Sequence, residues 1–217
     1  MNIKAVIFDM DGLLVDNEIH WHGVERRLCK QLRLSSDQVS AKELLGKNLN
    51  DITKVFQQYN PTITFEEVYA FYDHEADIVY TKQSNLLPGA QTLLDLLYEK
   101  GVTMAIASSS PRRWIDLVVE RFALQKYFAH LFSTQSMNLP GKPDPAVYNA
   151  CINELGFPKE HIAIFEDSFV GIQAAKASGA LAIAVPDKRW SHGDYSVADI
   201  ILDSLELVTE ELLFNNR

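Results

Sequence analysis

Four short aliphatic runs dictate the architecture of this chain: KAVIF (4–8), VTMAIA (102–107), HIAIF (161–165) and LAIAV (181–185). A strand with one wet face alternates apolar and polar residues, whereas a strand covered by helices on both faces is apolar almost throughout. Runs of the second kind, separated by segments of helical period, imply a doubly wound α/β core around a parallel sheet. Residues 111–122 have that period, with Ile115, Val118, Val119 and Phe122 on one face and Pro111 suited to the first helical position. Residues 145–155 read similarly and stop at Gly156, while the small residues of 170–178, closed by Gly179, let a helix approach the sheet closely.

Residues 16–83 break the alternation. Trp21, Val24, Leu28 and Leu32 recur at helical spacing, as do Leu49, Ile52, Val55, Phe56 and Tyr59, then Phe65, Val68, Phe71, Tyr72 and Val79. The expected organisation is a core of residues 1–15 and 84–217, resumed after a linker with Pro88 and Gly89, around an all-helical insertion at 16–83. With 217 residues, 47% of them hydrophobic, the chain can bury a sizeable core.

A net charge of −9 opposes non-specific attraction to nucleic acid or to an anionic membrane, so an anionic substrate needs a local positive centre. No apolar stretch approaches the ~20 residues that span a bilayer, and the chain reads as cytosolic. Cys29 and Cys151 have neither metal-ligand spacing nor the density of a disulfide scaffold, and read as packing residues in helices.

The chemistry sits where the runs end. The first closes in FDMDG, which puts Asp9 and Asp11 on alternate positions before Gly12. Two carboxylates this close repel unless a cation or a shared proton intervenes. One can attack phosphorus while the other, holding a proton, protonates the leaving alkoxide. The alternative is a turn decorated with acids. The second run ends in Ser108, Ser109 and Ser110 before Pro111, a hydroxyl-rich approach to a helix N-terminus that suits a phosphoryl oxygen. Here Ser108 is the better ligand and Ser110 the expected helix cap. Lys142, in the rigid loop GKPDP, offers an ammonium to Asp9 and to the phosphoryl oxygens, against the alternative of a solvated lysine. Glu166 and Asp167 follow the third run, where adjacent carboxylates complete a site for Mg²⁺ or form a polar turn. In a doubly wound sheet all these groups can converge outside the strands' carboxyl ends.

In this order FDMDGLLVD, Ser108, GKPDP and FEDSFVGIQAAKASGA resemble the four motifs of the haloacid dehalogenase superfamily over nearly the whole chain. The resemblance implies a Rossmann-like core, a helical cap inserted after the first strand, and Mg²⁺ as cofactor. It implies that Asp9 is nucleophile and metal ligand, that Asp11 is acid/base and lends its backbone carbonyl to the metal, and that Asp167 is a ligand with Glu166 supporting the metal directly or through water. Ser108 and Ser109 would bind phosphoryl oxygens, and Lys142 would neutralise charge. True haloacid dehalogenases generally lack an acid matching Asp11, because a halide leaves without a proton. A non-catalytic binding protein has no physical need for the whole set.

Within the superfamily the chain is similar to the β-phosphoglucomutase and sugar phosphatase branch. A mutase of that branch carries a cap histidine five positions after the aspartate matching Asp16, and that position here is Trp21, flanked by His20 and His22. DNEIHW instead resembles the DSExxW of sugar phosphatases, with Asn17 in place of Ser. Gly46, Lys47 and Asn48 resemble the family's specificity loop, which makes Lys47 and Asn48 candidate contacts to the leaving group, and Trp21 could either cover a sugar face or pack within the cap. The expected substrate is a hexose phosphate such as 2-deoxyglucose 6-phosphate, hydrolysed through an aspartyl phosphate. A phosphosugar mutase is the rival reading, and VPDKRW…ADIILDSL, which resembles pseudouridine-monophosphate phosphatases, keeps nucleotides open.

Overall fold

The computed structural model describes residues 2–35, 39, 41–44, 46–189, 191 and 193–214. Each aliphatic run becomes a strand. β1 (Ala5–Phe8) is followed by β2 (Val15–Asp16), and then by the helices α1 (Glu18–Gln31), α2 (Ala41–Leu44), α3 (Leu49–Gln57) and α4 (Phe65–Ile78), the last running on into a π-helical turn at Val79–Gln83. The chain returns through β3 (Asn85–Leu86), then α5 (Ala90–Glu99), β4 (Thr103–Ser108), α6 (Arg112–Arg121), β5 (Phe128–Ser133) and α7 (Ala146–Leu155). It ends with β6 (Ile162–Glu166), α8 (Phe169–Ser178), β7 (Leu181–Ala184), β8 (Ile200–Ile201) and α9 (Glu210–Phe214). Among the described residues, six strands form one sheet in the order β5-β4-β1-β6-β7-β8, with every pairing parallel.

β5 and β8, which the aliphatic runs do not announce, are the two edge strands. Ala129 and Ile201 are exposed there, so neither segment needs an unbroken apolar run. The central strand β1 is fully buried and divides its residues between two cores. Val6 and Phe8 meet Leu94, Ile115 and Val118 on one side; Ala5 and Ile7 meet Tyr148, Cys151, Ile172 and Ala175 on the other. Phe8 stacks on Phe165 with ring centroids 5.4 Å apart. Truncating such a fully buried ring costs about 3–5 kcal/mol, so the strand that ends at Asp9 is fixed by packing. Register does the rest. Phe8 is level with Ile106 and Phe165, and one residue further on Asp9 comes level with Ala107 and Glu166.

Between β2 and β3, which pair antiparallel, the regular structure among the described residues is helical. Trp21, Val24, Leu28 and Cys29 form the buried stripe of α1, Leu49, Ile52 and Phe56 that of α3, and Val68 and Tyr72 that of α4. Tyr59, beyond the end of α3, is exposed rather than on its buried face. A capping box between Thr64 and Glu67 starts α4. Cys29 and Cys151 are both buried free thiols in helices. No helix among the described residues is long and apolar enough to cross a membrane.

The helical segment lies against the core. Trp21 of α1 stacks on Trp114 of α6 at 5.3 Å, and Asp73 of α4 accepts from both Trp114 Nε1 at 2.8 Å and Arg113 at 2.9 Å. Arg113 also reaches Asp77 at 2.6 Å. Exposed ion pairs of this kind contribute about 0–1 kcal/mol each, so the stacked rings hold more of this contact than the charges do. Two details at α6 depart from expectation. Pro111 is the residue before the helix rather than its first, and Ser110 does not cap it. Ser136 Oγ accepts from Arg112 N at 2.9 Å instead, which frees the Ser110 hydroxyl for another partner.

Candidate active site

Asp9, one residue past β1, is 6% exposed, and its backbone N–H donates to Phe165 O at 3.0 Å. Gly12 then turns the chain at φ 78°, a left-handed conformation that costs glycine nothing. The position is also tight, because a Cβ on Gly12 would lie 2.4 Å from Asp167 Oδ2. The turn thus brings the first and last motifs together.

Asp11 faces a ring of donors. Asn17 Nδ2 donates to its Oδ1, as does the Tyr80 hydroxyl at 2.7 Å, while Oδ2 accepts from Ser110 Oγ at 2.7 Å and lies 3.4 Å from Ser108 Oγ. Asn17 is fully buried and precedes α1, yet its side chain does not cap that helix. Its amide instead accepts from Gly12 N at 3.2 Å and donates to Asp11, which joins the turn to the helical segment. The freed Ser110 hydroxyl serves Asp11 in place of the helix end.

Lys142 is buried, and its ammonium donates to Asp9 Oδ1 at 2.6 Å and to Glu166 Oε1 at 2.5 Å. Glu166 is fully enclosed. Its Oε1 also accepts from the Tyr148 hydroxyl at 2.7 Å, and its Oε2 accepts from both the N–H and the hydroxyl of Ser168 at 3.0 Å. Each oxygen therefore already has two donors, an arrangement that anchors the lysine. Close packing requires Gly171 here, since a Cβ there would come within 1.9 Å of Glu166 Oε1. Burial works against the charge on Lys142, but Asp9 and Glu166 overcome it and hold the ammonium well above its ordinary pKa.

Asp167 is buried at the end of β6, and its backbone carbonyl accepts from Ser191 Oγ at 3.1 Å and Tyr195 OH at 2.8 Å. Oxygens of Asp9, Glu166 and Asp167 all lie within 4.8 Å of one another. Burial pushes Asp9 up to about 8, with Lys142 opposing and Glu166 and Asp11 adding to the rise. Asp167 is held well above the carboxylate range by burial first and then by Glu166 and Asp9. An all-oxygen, buried and under-compensated set fits a hard divalent cation such as Mg²⁺, which would return these groups to their ionised forms. With Glu166 saturated by donors, Asp9 and Asp167 are the side chains best placed to hold it.

A cavity rises from these groups into the helical segment. Asp9, Asp11, Ser108, Ser109, Lys142 and Asp167 line its floor from the core, and Trp21 and Lys47 line it from the helical segment. Ser109 Oγ donates to Gly46 O at 3.1 Å, so its hydroxyl ties the core to the helical segment. Asn48 does not join them. Its Oδ1 accepts from Asp51 N at 2.9 Å to cap α3, and it borders a separate groove beside Gly141. Trp21 packs within the aromatic cluster, with ring centroids 5.3 Å from Trp114, 5.4 Å from Tyr72 and 5.6 Å from Tyr80, and it also lines the cavity. His20 and His22 do not line it, and neither does the tail segment, where Arg189 reaches Asp187 and Asp16. Trp190 lies outside the described residues. The wall also includes Glu18, Glu25, Tyr72, Tyr80 and Trp114, which motif order cannot reveal.

The family model for haloacid dehalogenase-like hydrolases matches residues 6–185, from the middle of β1 to the end of β7. The chain belongs to this family. Proteins similar to it include hexitol phosphatase B of Escherichia coli (strain K12), 31% identical over 97% of both chains. A phosphorylated carbohydrates phosphatase of Thermotoga maritima is 28% identical over 82% of both. The crystal structure of CbbY from Rhodobacter sphaeroides in complex with phosphate has the same fold, with a TM-score of 0.82, 21% identity, and coverage of 94% of this chain and 96% of that one. The six-stranded parallel sheet with flanking helices is the α/β fold of these hydrolases.

Proposed function

We propose that this hydrolase is a Mg²⁺-dependent phosphatase of small phosphorylated carbohydrates, hexose or hexitol monophosphates, that works through an aspartyl phosphate on Asp9. The observation that carries the reading is the Asp9 carboxylate on the cavity floor, 2.6 Å from the buried Lys142 ammonium, with Asp11 on the same floor. The names of the similar hexitol and carbohydrate phosphatases support the substrate class.

In the first half-reaction a carboxylate oxygen of Asp9 attacks phosphorus, the bond to the leaving oxygen breaks, and Asp11 gives that oxygen its proton. Lys142 offsets the negative charge shared by Asp9 and the phosphoryl oxygens, while Ser108 lies at the strand end to receive one of them. In the second, water attacks the aspartyl phosphate, Asp11 takes the proton back, and inorganic phosphate leaves with Asp9 restored. Mg²⁺, when bound by Asp9, Asp167 and the Asp11 carbonyl, supplies charge neutralisation for the phosphoryl group. Residues 16–83 act as the cap, closing over the core through the Trp21–Trp114 stack to exclude water, and Lys47 faces the leaving group.

A phosphatase is favoured over a phosphosugar mutase because the position at which a mutase carries its histidine holds Trp21, locked in an aromatic stack, and neither flanking histidine lines the cavity. The test is phosphate release over hexose phosphates, hexitol phosphates, phosphoglycolate and nucleoside monophosphates, with and without Mg²⁺. Mg²⁺-dependent release, fastest from carbohydrate monophosphates, supports the reading; release equal in EDTA, or fastest from nucleotides, overturns it.

A further inference from the structure

The stripe of α1 that faces the cavity carries Glu18, Trp21 and Glu25. Glu25 lies seven residues, or roughly 10 Å, farther along the helix than Glu18, which places it away from the reacting carboxylates. Beside it Tyr72 of α4 packs on Trp21 at 5.4 Å. The proposed chemistry uses neither Glu25 nor Tyr72, and both have a polar atom left over. Tyr72 is 3% exposed and its hydroxyl has no hydrogen-bond partner; Glu25 Oε2 is likewise enclosed and unpaired. Buried polar atoms without partners are rare in folded proteins because they lose their hydration for nothing. Two of them on one cavity wall mark a place that a ligand completes.

We infer that Glu25 and Tyr72 form a subsite for an uncharged hydroxyl at the far end of the substrate, which makes a neutral polyol monophosphate the substrate class. This rests on the phosphatase reading and names its specificity determinants. Burial pushes the Glu25 carboxyl up to about 8, so near neutrality it is protonated and, like the phenol, both donates and accepts. A hydroxyl has the same dual capacity and pairs with both groups. Trp21, between Glu18 and Glu25 on the stripe, offers an apolar face to the intervening carbons. A second phosphoryl group against this stripe of α1 would meet acids, since burial raises Glu25 and Asp11, Glu25 and Asp9 add to the burial that raises Glu18, while Lys47 enters the cavity beside Gly46, which bonds Ser109.

The experiment measures kcat/KM with Mg²⁺ for a hexitol monophosphate, hexyl phosphate, a hexitol bisphosphate and acetyl phosphate, on the wild type, Tyr72→Phe and Glu25→Met. The wild type should prefer the hexitol monophosphate to both hexyl phosphate and the bisphosphate. Each variant should cut the preference over hexyl phosphate about tenfold, through KM for the hexitol phosphate, and leave acetyl phosphate unchanged. Thermal midpoints should equal or exceed the wild type's, because Glu25 Oε2 and the Tyr72 hydroxyl have no partner in the empty protein. An unchanged preference in both variants overturns the subsite, as does a faster bisphosphate in the wild type. Loss on every substrate together with lower thermal midpoints shows a structural role and overturns it too. A wild type that turns over acetyl phosphate without preferring the hexitol phosphate refutes the subsite alone, whereas a wild type inactive on all four substrates refutes the phosphatase reading beneath it.

Discussion

Replacing Lys142 with methionine removes the ammonium and keeps most of the volume. The side chains involved, Lys142, Asp9 and Glu166, are 2%, 9% and 0% exposed, and the two ion pairs measure 2.6 and 2.5 Å. Exposed pairs contribute about 0–1 kcal/mol, but stripping one partner from a buried pair leaves an uncompensated charge and costs about 3–5 kcal/mol. For a chain of this size 1 kcal/mol moves the thermal midpoint by roughly 2–4 °C, so in EDTA Lys142→Met should melt roughly 6–20 °C below the wild type. The deficit should be largest above pH ~8 and shrink as pH falls through that value, because Asp9, which burial pushes up to about 8, then takes up a proton and removes its share of the stranded charge. Added Mg²⁺ should raise the variant's midpoint more than the wild type's, since the cation then stands in for the missing ammonium. Differential scanning fluorimetry with EDTA or Mg²⁺ at several pH values reads all three effects. Equal melting in EDTA, or equal Mg²⁺ shifts in the two proteins, would refute the picture of Lys142 as the counter-charge of a buried carboxylate cluster.

Gly171→Ala should destabilise the protein by at least about 1–3 kcal/mol and depress turnover, because its Cβ collides with the carboxylate that anchors Lys142; a gain in stability, as helix propensity alone would give, would count against that contact. Asp11→Asn should slow alkyl phosphates more than aryl phosphates, whose better leaving groups need less protonation, and steady-state rates that fall equally on both would remove Asp11 from the proton-transfer role. Glu25 is protonated in the folded state up to about 8 but ionises near 4.5 when unfolded, so it costs stability increasingly as pH rises between those values. Urea melts of Glu25→Gln should match the wild type at pH ~4 and exceed it by up to about 5 kcal/mol above pH ~8; a pH-independent difference would show that burial does not shift this carboxyl.

What could be read from the sequence follows from which residues burial constrains. β1, β4, β6 and β7 announce themselves because helices cover both their faces, while Ala129 on β5 and Ile201 on β8 meet solvent at the sheet edges and break the pattern. Asp9, Lys142 and Asp167 could be foreseen together because strand ends of a parallel sheet must converge. The acids on α1 were hidden for the opposite reason: Glu18 and Glu25 on an amphipathic helix look like a solvated face until α4 and α6 cover it. Tyr72 and Trp114 sit at helical core spacing, which does not distinguish a packing ring from a cavity wall. Ser110 and Asn48 exchanged their expected parts, since either polar side chain can cap a helix or reach into a site, and only tertiary contacts with Asp11 and Asp51 decide between them.

The central claim is covalent transfer to Asp9, and acid-quench trapping tests it most directly. Wild-type protein mixed with Mg²⁺ and a labelled substrate, quenched within one turnover and digested, should carry the phosphoryl label on the peptide containing Asp9, in a bond that hydroxylamine cleaves. Asp9→Asn, folded but unlabelled, completes the expected result. Label on any other residue, or labelling of Asp9→Asn equal to that of the wild type, would contradict the account.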